Sequence, residues 1–302
     1  MDSLSQLIGL LAPKGQVDLH CRFSGSWQSD HPQAPKGHLP YHLILAGQAK
    51  LLAEGREWQL AAGDVLLLPQ GSPHLLKGLR QGDRPAPQHR RHNGAVTELV
   101  RAGEGEALEM LCGEFQVGAP GALLLASMPA LVQVRTAQRD DCAELKALVA
   151  MLARESLDGQ PGAQAIIREL SATLLTLLLR ALLTQQAPPP GLLNLMADQR
   201  LAPAVAAVLA EPQGNWTLEA MAAACHLSRA SFARHFGQCY QLTPQEWLTQ
   251  LRMALAARLL RESPQGLLRV AEQCGYLSQA AFSRAFKAHH GQTPGQFRRH
   301  IG

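Results

Sequence analysis

One cysteine near the start of the chain has sequence neighbours that could make it reactive. Cys21 lies between His20 and Arg22. A neighbouring cation lowers the pKa of a thiol, and the thiolate is the form that oxidants such as hypochlorous acid attack. A sulfenic acid formed there can be resolved to a disulfide by a second thiol. The sequence therefore permits an oxidant-sensing cysteine, with a small buried hydrophobic side chain as the alternative.

The other cysteines follow no recognisable metal or redox spacing. The six cysteines stand at positions 21, 112, 142, 225, 239 and 274. None forms a CxxC pair, so neither a zinc ribbon nor a thioredoxin-like motif is expected. Because Cys225, Cys239 and Cys274 lie in predicted helices, we interpret them as packing residues.

No segment of the sequence has the features of an export signal or a membrane span. The first residues lack a basic stretch followed by a long apolar core. The most apolar stretch, 163–183, contains Arg168, Glu169 and Arg180, which makes it too charged for a spanning helix. We therefore expect a cytoplasmic protein whose thiols are mostly reduced.

A second pattern lies in the last hundred residues, where the chain repeats itself at an offset of 50. There are only two copies, and each is about the size of one helix-turn-helix rather than of a solenoid unit. The residues of the first copy that recur 50 positions later are Leu218, Leu227, Ser228, Ala230, Phe232, Arg234, Phe236, Thr243 and Pro244.

Both copies have the sequence signals of a helix, a turn and a second helix. The predicted caps and helices are Thr217 with 218–224, Ser228 with 229–236, and Ser278 with 279–286, the first helix of the second copy ending at Gly275. Thr243-Pro-Gln-Glu246 has the pattern of a capping box and opens a helix through about Arg261. Such a helix would join the two units rigidly, which matters because two recognition helices must lie about 34 Å apart on DNA.

The second helix of each copy has one face for a core and one for a major groove. Phenylalanines at i,i+4 spacing should face the core, and the residues away from them can enter the groove. The candidate DNA-binding residues are Arg229, Ala230, Ser231, Ala233 and Arg234 in the first unit and Gln279, Ala280, Ser283 and Arg284 in the second.

Charge is distributed unevenly along the chain, and the excess of basic residues lies in the C-terminal third. Residues 200–302 contain 11 Lys and Arg against 5 Asp and Glu, whereas residues 1–199 contain 17 against 19. A basic C-terminal third beside a near-neutral remainder fits a DNA-binding module attached to another domain.

The doubled unit resembles a known family of regulators. Residues 198–302, with the tail GYLSQAAFSRAFKAHHGQTPGQFR and its Thr-Pro caps, resemble the whole DNA-binding domain of AraC/XylS transcription regulators. The resemblance implies that Arg234 and Arg284 contact bases or phosphates. It also implies that the first recognition helix, with Ala230 and Ala233, reads less sequence than the second.

The N-terminal part has the pattern of a small β-barrel. Short apolar runs between Gly, Pro and Asp, at 41–45, 49–52, 65–68, 108–115 and 123–125, are typical of strands. Residues 83–93 are basic and poor in apolar residues, and we expect a mobile loop there. Helical patterns follow at 140–156 and 161–185, and three prolines at 188–190 mark a linker.

Residues Gly63 to His74 match the second cupin motif, GxxxxxPxGxxH, which implies a cupin-like barrel with His74 pointing inward. The first cupin motif is not intact, since only His38 and His42 are present and no Glu stands at the expected interval. A cupin enzyme usually needs three or four metal ligands, so we do not expect an enzyme.

His42 and His74 leave two interpretations open. Together with Cys21 or Cys112 they could form a mixed zinc or copper site. Alternatively, they are barrel-lining histidines held by hydrogen bonds. The cofactor expectation is therefore none for certain, with a zinc or copper ion in the cupin-like domain as a hypothesis.

The N-terminal part also resembles the branch of the AraC/XylS family that senses reactive chlorine species. The resemblance rests on Met1 to Ser5, Asp18 to Cys21, Trp27-Gln28, Tyr41-His42, LLLPQGSPH and Leu111 to Gly113. It implies sensing by cysteine oxidation, with Cys21 and Cys112 at the two cysteine positions. Because two basic side chains flank Cys21, we expect this thiol to be attacked first and Cys112 to be its partner or a supporting residue. The segment 83–97 is longer than in that branch, and Cys142 is an extra thiol.

The sequence thus predicts a two-domain α+β protein. Residues 1–135 form a cupin-like β-barrel sensor domain, 136–190 a helical linker and dimerisation segment that alone connects the halves, and 198–302 an all-α tandem helix-turn-helix. The expected function is a sequence-specific DNA-binding transcription regulator, an activator, that responds to oxidants or electrophiles through cysteines of the cupin-like domain. The expected partners are promoter DNA, RNA polymerase and a second copy. The alternatives are a regulator with a small ligand in the barrel and, more remotely, a cupin enzyme fused to a DNA-binding domain.

Overall fold

The chain divides into two compact units, each made of separate segments. The computed structural model describes residues 2–79 and 87–299, and of residues 119, 120 and 158 the backbone alone. The β unit comprises Pro13–Gly118 and Met128–Gln185. The helical unit comprises Met1–Ala12, Ala119–Ser127 and Gln186–Gly302.

Two sheets make up the β unit. In the seven-stranded sheet the order is β11-β6-β3-β10-β1-β9-β8, and in the four-stranded sheet it is β2-β7-β4-β5. The strands are β1 Lys14–Phe23, β2 Gln28–His31, β3 His38–Ala46, β4 Gln48–Ala53, β5 Arg56–Ala61, β6 Asp64–Leu67, β7 His74–Lys77, β8 Gln88–His92, β9 Thr97–Arg101, β10 Leu108–Gln116 and β11 Val132–Arg135.

The helices fall in both units. In the β unit, α3 (Ala143–Asp158) and α4 (Ala163–Leu183) pack on each other, and α4 packs on β1. The helices of the helical unit are α1 Ser3–Leu11, α2 Gly118–Leu125, α5 Leu192–Ala197, α6 Ala202–Ala210, α7 Leu218–Ala224, α8 Arg229–Cys239, α9 Pro244–Glu262, α10 Leu267–Gln273, α11 Gln279–His290 and α12 Pro294–Arg299. No helix in the described part of the chain is long and apolar enough to cross a membrane.

Strand pairing determines which cysteines and histidines of the β unit face one another. Every second residue of a strand points to the same face of its sheet. Across the pair β3–β10, His42 stands directly opposite Cys112. Across β2–β7, His31 stands directly opposite His74. Cys21 on β1 is opposite Met110, two residues from Cys112 along β10 and on the same face.

The space between the sheets is filled by packed side chains. Both cysteines belong to this buried cluster, which consists of Cys21, Phe23, Trp27, Ile44, Ala49, Leu51, Ala53, Leu60, Leu66, Leu68, Leu76, Leu108, Met110, Cys112 and Leu131. Burial of this many apolar side chains is the main force that closes the two sheets on each other.

The predicted fold class is confirmed, since the N-terminal part is β-rich and the C-terminal part is helical. Three local expectations differ from the structure. The apolar run 123–125 lies in α2, because it follows Pro120 at a helix start instead of pairing with a strand. Residues 88–92 of the predicted loop form β8, paired with β9, while residues 83–86 lie outside the described residues. The segment 136–190 does not alone connect the halves, because the chain passes between the two units four times.

Candidate functional site

The first candidate site is a line of thiols and imidazoles inside the β unit. His42 Nδ1 lies 3.1 Å from Cys112 Sγ. His42 Nε2 lies 2.8 Å from Nε2 of His74, which comes from the other sheet. His74 Nδ1 in turn lies 3.0 Å from the carbonyl oxygen of Ser72. A single hydrogen-bonded line therefore runs from a thiol to the backbone and joins the two sheets.

Cys21 extends this line by one thiol. Its side chain lies on the same face of the β1–β10 pair as that of Cys112 and diagonal to it in the register, and both thiols are free and buried. Diagonal neighbours on one face of an antiparallel pair lie close enough for their side chains to interact. The structure therefore brings the two predicted redox cysteines together.

The basic sequence neighbours of Cys21 point away from its thiol. His20 and Arg22 point to the opposite face of β1, because side chains alternate along a strand. Nε2 of His20 is instead 2.8 Å from the carboxylate of Glu109, and Arg22 is exposed. The argument that flanking cations activate Cys21 is wrong.

A third histidine, which the sequence did not single out, completes the cluster. The ring of His31 stacks on that of His74 at 4.6 Å with 2° between the planes, and it meets the ring of His42 at 5.4 Å. His31 lies on a four-residue strand, and its partner strand is far away in the chain. No local pattern in the sequence therefore signals it.

Burial keeps the three imidazoles uncharged. It holds the pKa of His42 well below the usual range, with the nearby His74 and His31 adding to the effect. Burial also lowers the pKa of His74, and it lowers the pKa of His31 to about 4. The hydrogen bond with Cys21, followed by burial, raises the pKa of Cys112, so this thiol is protonated at rest.

The predicted metal site gains no support from this arrangement. His42 directs its two nitrogens to different partners, so Cys112, His42 and His74 cannot surround one ion. Within residues 2–79 and 87–299, no group of three or more His, Cys, Asp or Glu side chains is arranged to hold a metal ion. Zinc or copper at His42 and His74 stays an untested hypothesis, and the hydrogen-bonded interpretation describes the observed contacts.

The second candidate site is the pair of recognition helices in the helical unit. Ser228 caps α8 by accepting a hydrogen bond from the Ser231 amide at 3.2 Å. Phe232 and Phe236 are buried, as their spacing predicts. Arg229, Ala230 and Arg234 are exposed, and Ser231 and Ala233 are partly exposed. The guanidinium of Arg229 lies 2.8 Å from the carboxylate of Glu219 on α7.

The second helix-turn-helix motif repeats this geometry. Ser278 caps α11 by accepting from the Ala281 amide at 3.2 Å, and Phe282 and Phe286 are buried. Gln279, Ala280 and Arg284 are exposed, and Ser283 is partly exposed. All nine predicted DNA-binding residues are thus exposed or partly exposed, and their contact with DNA stays a prediction.

The helix α9 joins the two helix-turn-helix motifs, and the predicted capping box fixes its start. The amide of Thr243 donates to Glu246 Oε2 at 2.8 Å, and the Glu246 amide donates to Thr243 Oγ1 at 3.2 Å. A helix of 19 residues is about 28 Å long. This length is of the order of one turn of DNA, which is the separation that two recognition helices on one DNA face require.

Arg252, in the middle of α9, is a positioning residue that the sequence did not reveal. Its guanidinium donates to the carbonyls of Pro212 at 2.9 Å and Gly214 at 2.7 Å, just before the first unit. A Cβ on Gly275, in the turn of the second unit, would lie 2.6 Å from the same guanidinium. Gly275 has a φ of +75°, so glycine is favoured there for both reasons.

Comparison with known proteins identifies two family models and several relatives that match the chain. A cupin family model matches residues 2–184, and a helix-turn-helix domain model matches residues 221–300. An HTH-type transcriptional regulator of Haemophilus influenzae is 33% identical over 100% of this chain and 99% of its own. The RCS-specific HTH-type transcriptional activator RclR of Escherichia coli is 29% identical over 100% of this chain and 98% of its own, and the regulator MtrA of Neisseria gonorrhoeae is 29% identical over 100% and 99%.

These relatives are named as transcription regulators over their whole length, and the chain is a regulator and not an enzyme, as predicted. Its N-terminal cupin domain and C-terminal helix-turn-helix domain follow one another in the order of the two family models. The chain belongs to the AraC family of DNA-binding transcription regulators with an N-terminal cupin domain.

Proposed function

We propose that this regulator responds to chlorine oxidants by oxidation of Cys21 and Cys112. The observation that carries the proposal is the placement of two free, buried cysteines as diagonal neighbours on one face of the β1–β10 pair. A thiol oxidised beside a second thiol can be resolved to a disulfide without a large rearrangement. The relative RclR, described as an RCS-specific activator, is similar over the full chain.

The packing of the barrel also favours oxidation over binding of a ligand between the sheets. Fifteen buried side chains fill that region, including both cysteines. A ligand of ordinary size would have to displace them, at a cost of several kcal/mol. A small oxidant needs only brief access to a sulfur atom.

For DNA binding, the proposal assigns the contacts with bases and phosphates to the exposed faces of α8 and α11. These contacts come from Arg229, Ala230, Ser231, Ala233 and Arg234 on α8 and from Gln279, Ala280, Ser283 and Arg284 on α11. Promoter binding would place the protein in the bacterial cytoplasm as an activator that contacts RNA polymerase.

A homodimer is part of the same proposal. The helices α3 and α4 expose three large apolar side chains, Met151, Leu157 and Ile166, each more than 40% accessible. Exposed apolar side chains on neighbouring helices are typical of protein–protein interfaces. We assign this surface to contact with a second copy of the chain.

A reporter assay in cells treated with hypochlorite tests the sensing proposal. We expect Cys21→Ser and Cys112→Ser to bind promoter DNA normally in the reduced state and to lose the oxidant-induced transcription. Cys142→Ser is the matched control, because Cys142 is also buried in the β unit but contacts Asp141 instead of a second thiol, and it should respond normally. A full response from Cys21→Ser would contradict the proposal that oxidation of this cysteine is the signal. It would favour the alternative, in which a small ligand binds in the barrel.

A further inference from the structure

The turn inside the second helix-turn-helix motif is one residue longer than the turn inside the first. In the first motif two residues, His226 and Leu227, separate the cap residue at the end of α7 from Ser228, which caps α8. In the second motif three residues, 275–277, separate the cap residue at the end of α10 from Ser278, which caps α11. The sequence repeat at an offset of 50 does not show this difference, because α10 ends one residue earlier than the offset places it.

Both turns begin with the same backbone arrangement, the Schellman motif, but at different positions of the repeat. After α7, His226 has a φ of +53°, and the amide of Leu227 donates back to a helix carbonyl at 3.0 Å. After α10, Gly275 has a φ of +75°, and the amide of Tyr276 donates back at 2.9 Å. The residue after the left-handed one commonly packs its apolar side chain on the helix that has just ended. That residue is Leu227 in the first motif and Tyr276 in the second.

Leu277 is therefore the residue that the second turn does not use for packing. The ring of Tyr276 meets that of the buried Phe282 at 5.7 Å, with 61° between the planes. Leu277 is 105% accessible, as exposed as in an extended chain, whereas Leu227 is partly buried. Among the residues that the structure describes, the next most exposed large apolar side chain is Leu268, at 51%. A leucine wholly in water forgoes the burial that usually stabilises this side chain.

Hydrogen bonds hold the backbone on both sides of Leu277. The amide of Gly275 donates to the carbonyl of Glu272 at 2.9 Å. On the other side, Ser278 Oγ accepts from the amide of Ala281 at 3.2 Å. The exposed leucine is thus presented from a defined backbone at the entry to α11.

The surroundings of Leu277 suit DNA. Gln279, the first residue of α11, follows two positions later, and it is exposed together with Ala280 and Arg284. Residues at the N-terminal end of a recognition helix are those that reach base edges. Residues 265–299 carry a single carboxylate, Glu272, and an excess of cationic side chains, which complements a polyanion. These cationic residues are Arg269, Arg284, Lys287, Arg298 and Arg299.

We propose that Leu277 is a specificity-determining residue that packs against the C5 methyl group of a thymine in the major groove. The proposal rests on the DNA-binding face proposed above and extends that face by one apolar residue. Among the groups that base edges present in the major groove, the thymine methyl group is the apolar one. Contact with it buries the leucine, and a base without this methyl group cannot replace it. The first motif has no equivalent reader, because its shorter turn leaves Leu227 partly buried.

Removal of the methyl group alone tests the proposal. The reduced full-length protein first selects its preferred site from a library of random DNA duplexes. Each thymine of the selected site is then replaced in turn by deoxyuridine, and fluorescence anisotropy gives the Kd. Burial of one methyl group corresponds to about fourfold in affinity, so we expect one thymine at which the replacement weakens binding by about this factor.

A double-mutant cycle connects that thymine to Leu277. Leu277→Ala should weaken binding to the selected site by about fourfold or more, and the deoxyuridine replacement should then have no further effect. Leu268→Ala is the matched control, because Leu268 is an exposed leucine on α10 of the same motif. This variant should bind like the unmodified protein and keep the full effect of deoxyuridine. Since Leu277 is not packed in the protein, Leu277→Ala should keep an unchanged Tm.

The possible failures are distinguishable. Effects of Leu277→Ala and deoxyuridine that add at every thymine, or an unmodified protein insensitive to all the replacements, would overturn the methyl contact and leave DNA binding intact. If Leu277→Ala binds DNA like the unmodified protein but fails to activate a reporter, the leucine contacts a protein partner instead, and the proposal is wrong. An unmodified protein that enriches no sequence would contradict the proposed DNA-binding function itself.

Discussion

Three buried or partly buried histidines make the stability of the β unit depend on pH. His31, His42 and His74 all have pKa values lowered mainly by burial, that of His31 to about 4. The unfolded chain therefore binds more protons than the folded one between pH 4 and 6.5, and the free energy of unfolding falls as the pH drops through this range. Asp18 acts in the opposite sense, since burial and Glu114 raise its pKa to about 6.

We expect the three histidines to outweigh the one carboxyl group. Hydrogen exchange of amides in β3 and β10 should become faster at pH 5.5 than at pH 7.5, after correction for the intrinsic rate. His31→Phe should reduce this acid effect by about 1–2 kcal/mol, a value discounted for the partial exposure of the ring. His92→Phe, at an exposed position of β8, is the control. An exchange rate independent of pH in this range would contradict the neutral-histidine account.

A single arginine tests the assignment of the recognition face. Arg284 is exposed on α11, and the corresponding position on α8 is also an arginine. If its guanidinium makes a bidentate contact with a base, Arg284→Ala weakens specific binding by about 1–3 kcal/mol and relaxes selectivity at one base step. Fluorescence anisotropy with promoter and random DNA measures this, with Arg56→Ala in the β unit as a control for net charge. Equal losses on both DNAs would reassign Arg284 to a phosphate.

Among the elements, the helix-turn-helix units could be predicted from the sequence because their signals are local. Thr217, Ser228 and Ser278 each stand directly before the helix that they cap, and a phenylalanine stripe needs only i,i+4 spacing. Strand pairing is not local. The facing of His31 and His74, and the turning of His20 away from Cys21, depend on register that no short window contains. This is why the helices, their caps and their buried phenylalanines could be predicted, whereas the imidazole line was found only in part.

The capping box of α9 carries a prediction at this scale. Thr243→Ala removes the two hydrogen bonds of the Thr243 hydroxyl, one accepted from the Glu246 amide and one donated to Glu246 Oε2, at the start of the helix that joins the two helix-turn-helix units. Loss of such a cap costs about 0.5–2 kcal/mol, and urea unfolding of the helical unit should show a decrease of this size. Thr249→Ala is the control, because Thr249 lies in the same helix and bonds only to a carbonyl within it. A decrease of the same size in both variants would mean that the cap has no special role.

At the scale of the whole molecule, the N-terminal helix α1 is part of the same compact unit as the C-terminal helices. Leu7, Leu10 and Leu11 of α1 are buried, and α1 contacts α6 and α9. The guanidinium of Arg258 on α9 donates to the carbonyl of Gly9. The proposed sensor domain, 1–135, therefore begins with a helix that is part of the compact helical unit, and the chain offers four connections through which oxidation in the β unit can reach the DNA-binding helices.

Assembly is the second property of the whole molecule. We expect light scattering to show a dimer at micromolar concentration. Because Ile166 is exposed on α4, Ile166→Glu should shift the protein towards monomer without unfolding it. Glu169→Gln, at an exposed polar position of the same helix, should not. A monomer under all conditions, with and without oxidant, would contradict the assigned interface.

Mass spectrometry of the unreduced protein after one equivalent of hypochlorous acid tests the central claim most directly. Proteolytic peptides are compared before and after reduction, and the state of each of the six cysteines is read separately. The diagonal placement of the two thiols predicts one dominant product, in which the peptide of Cys21 is linked to that of Cys112, while Cys142, Cys225, Cys239 and Cys274 stay reduced. Oxidant taken up by those other cysteines, with Cys21 and Cys112 left as free thiols, would contradict the account.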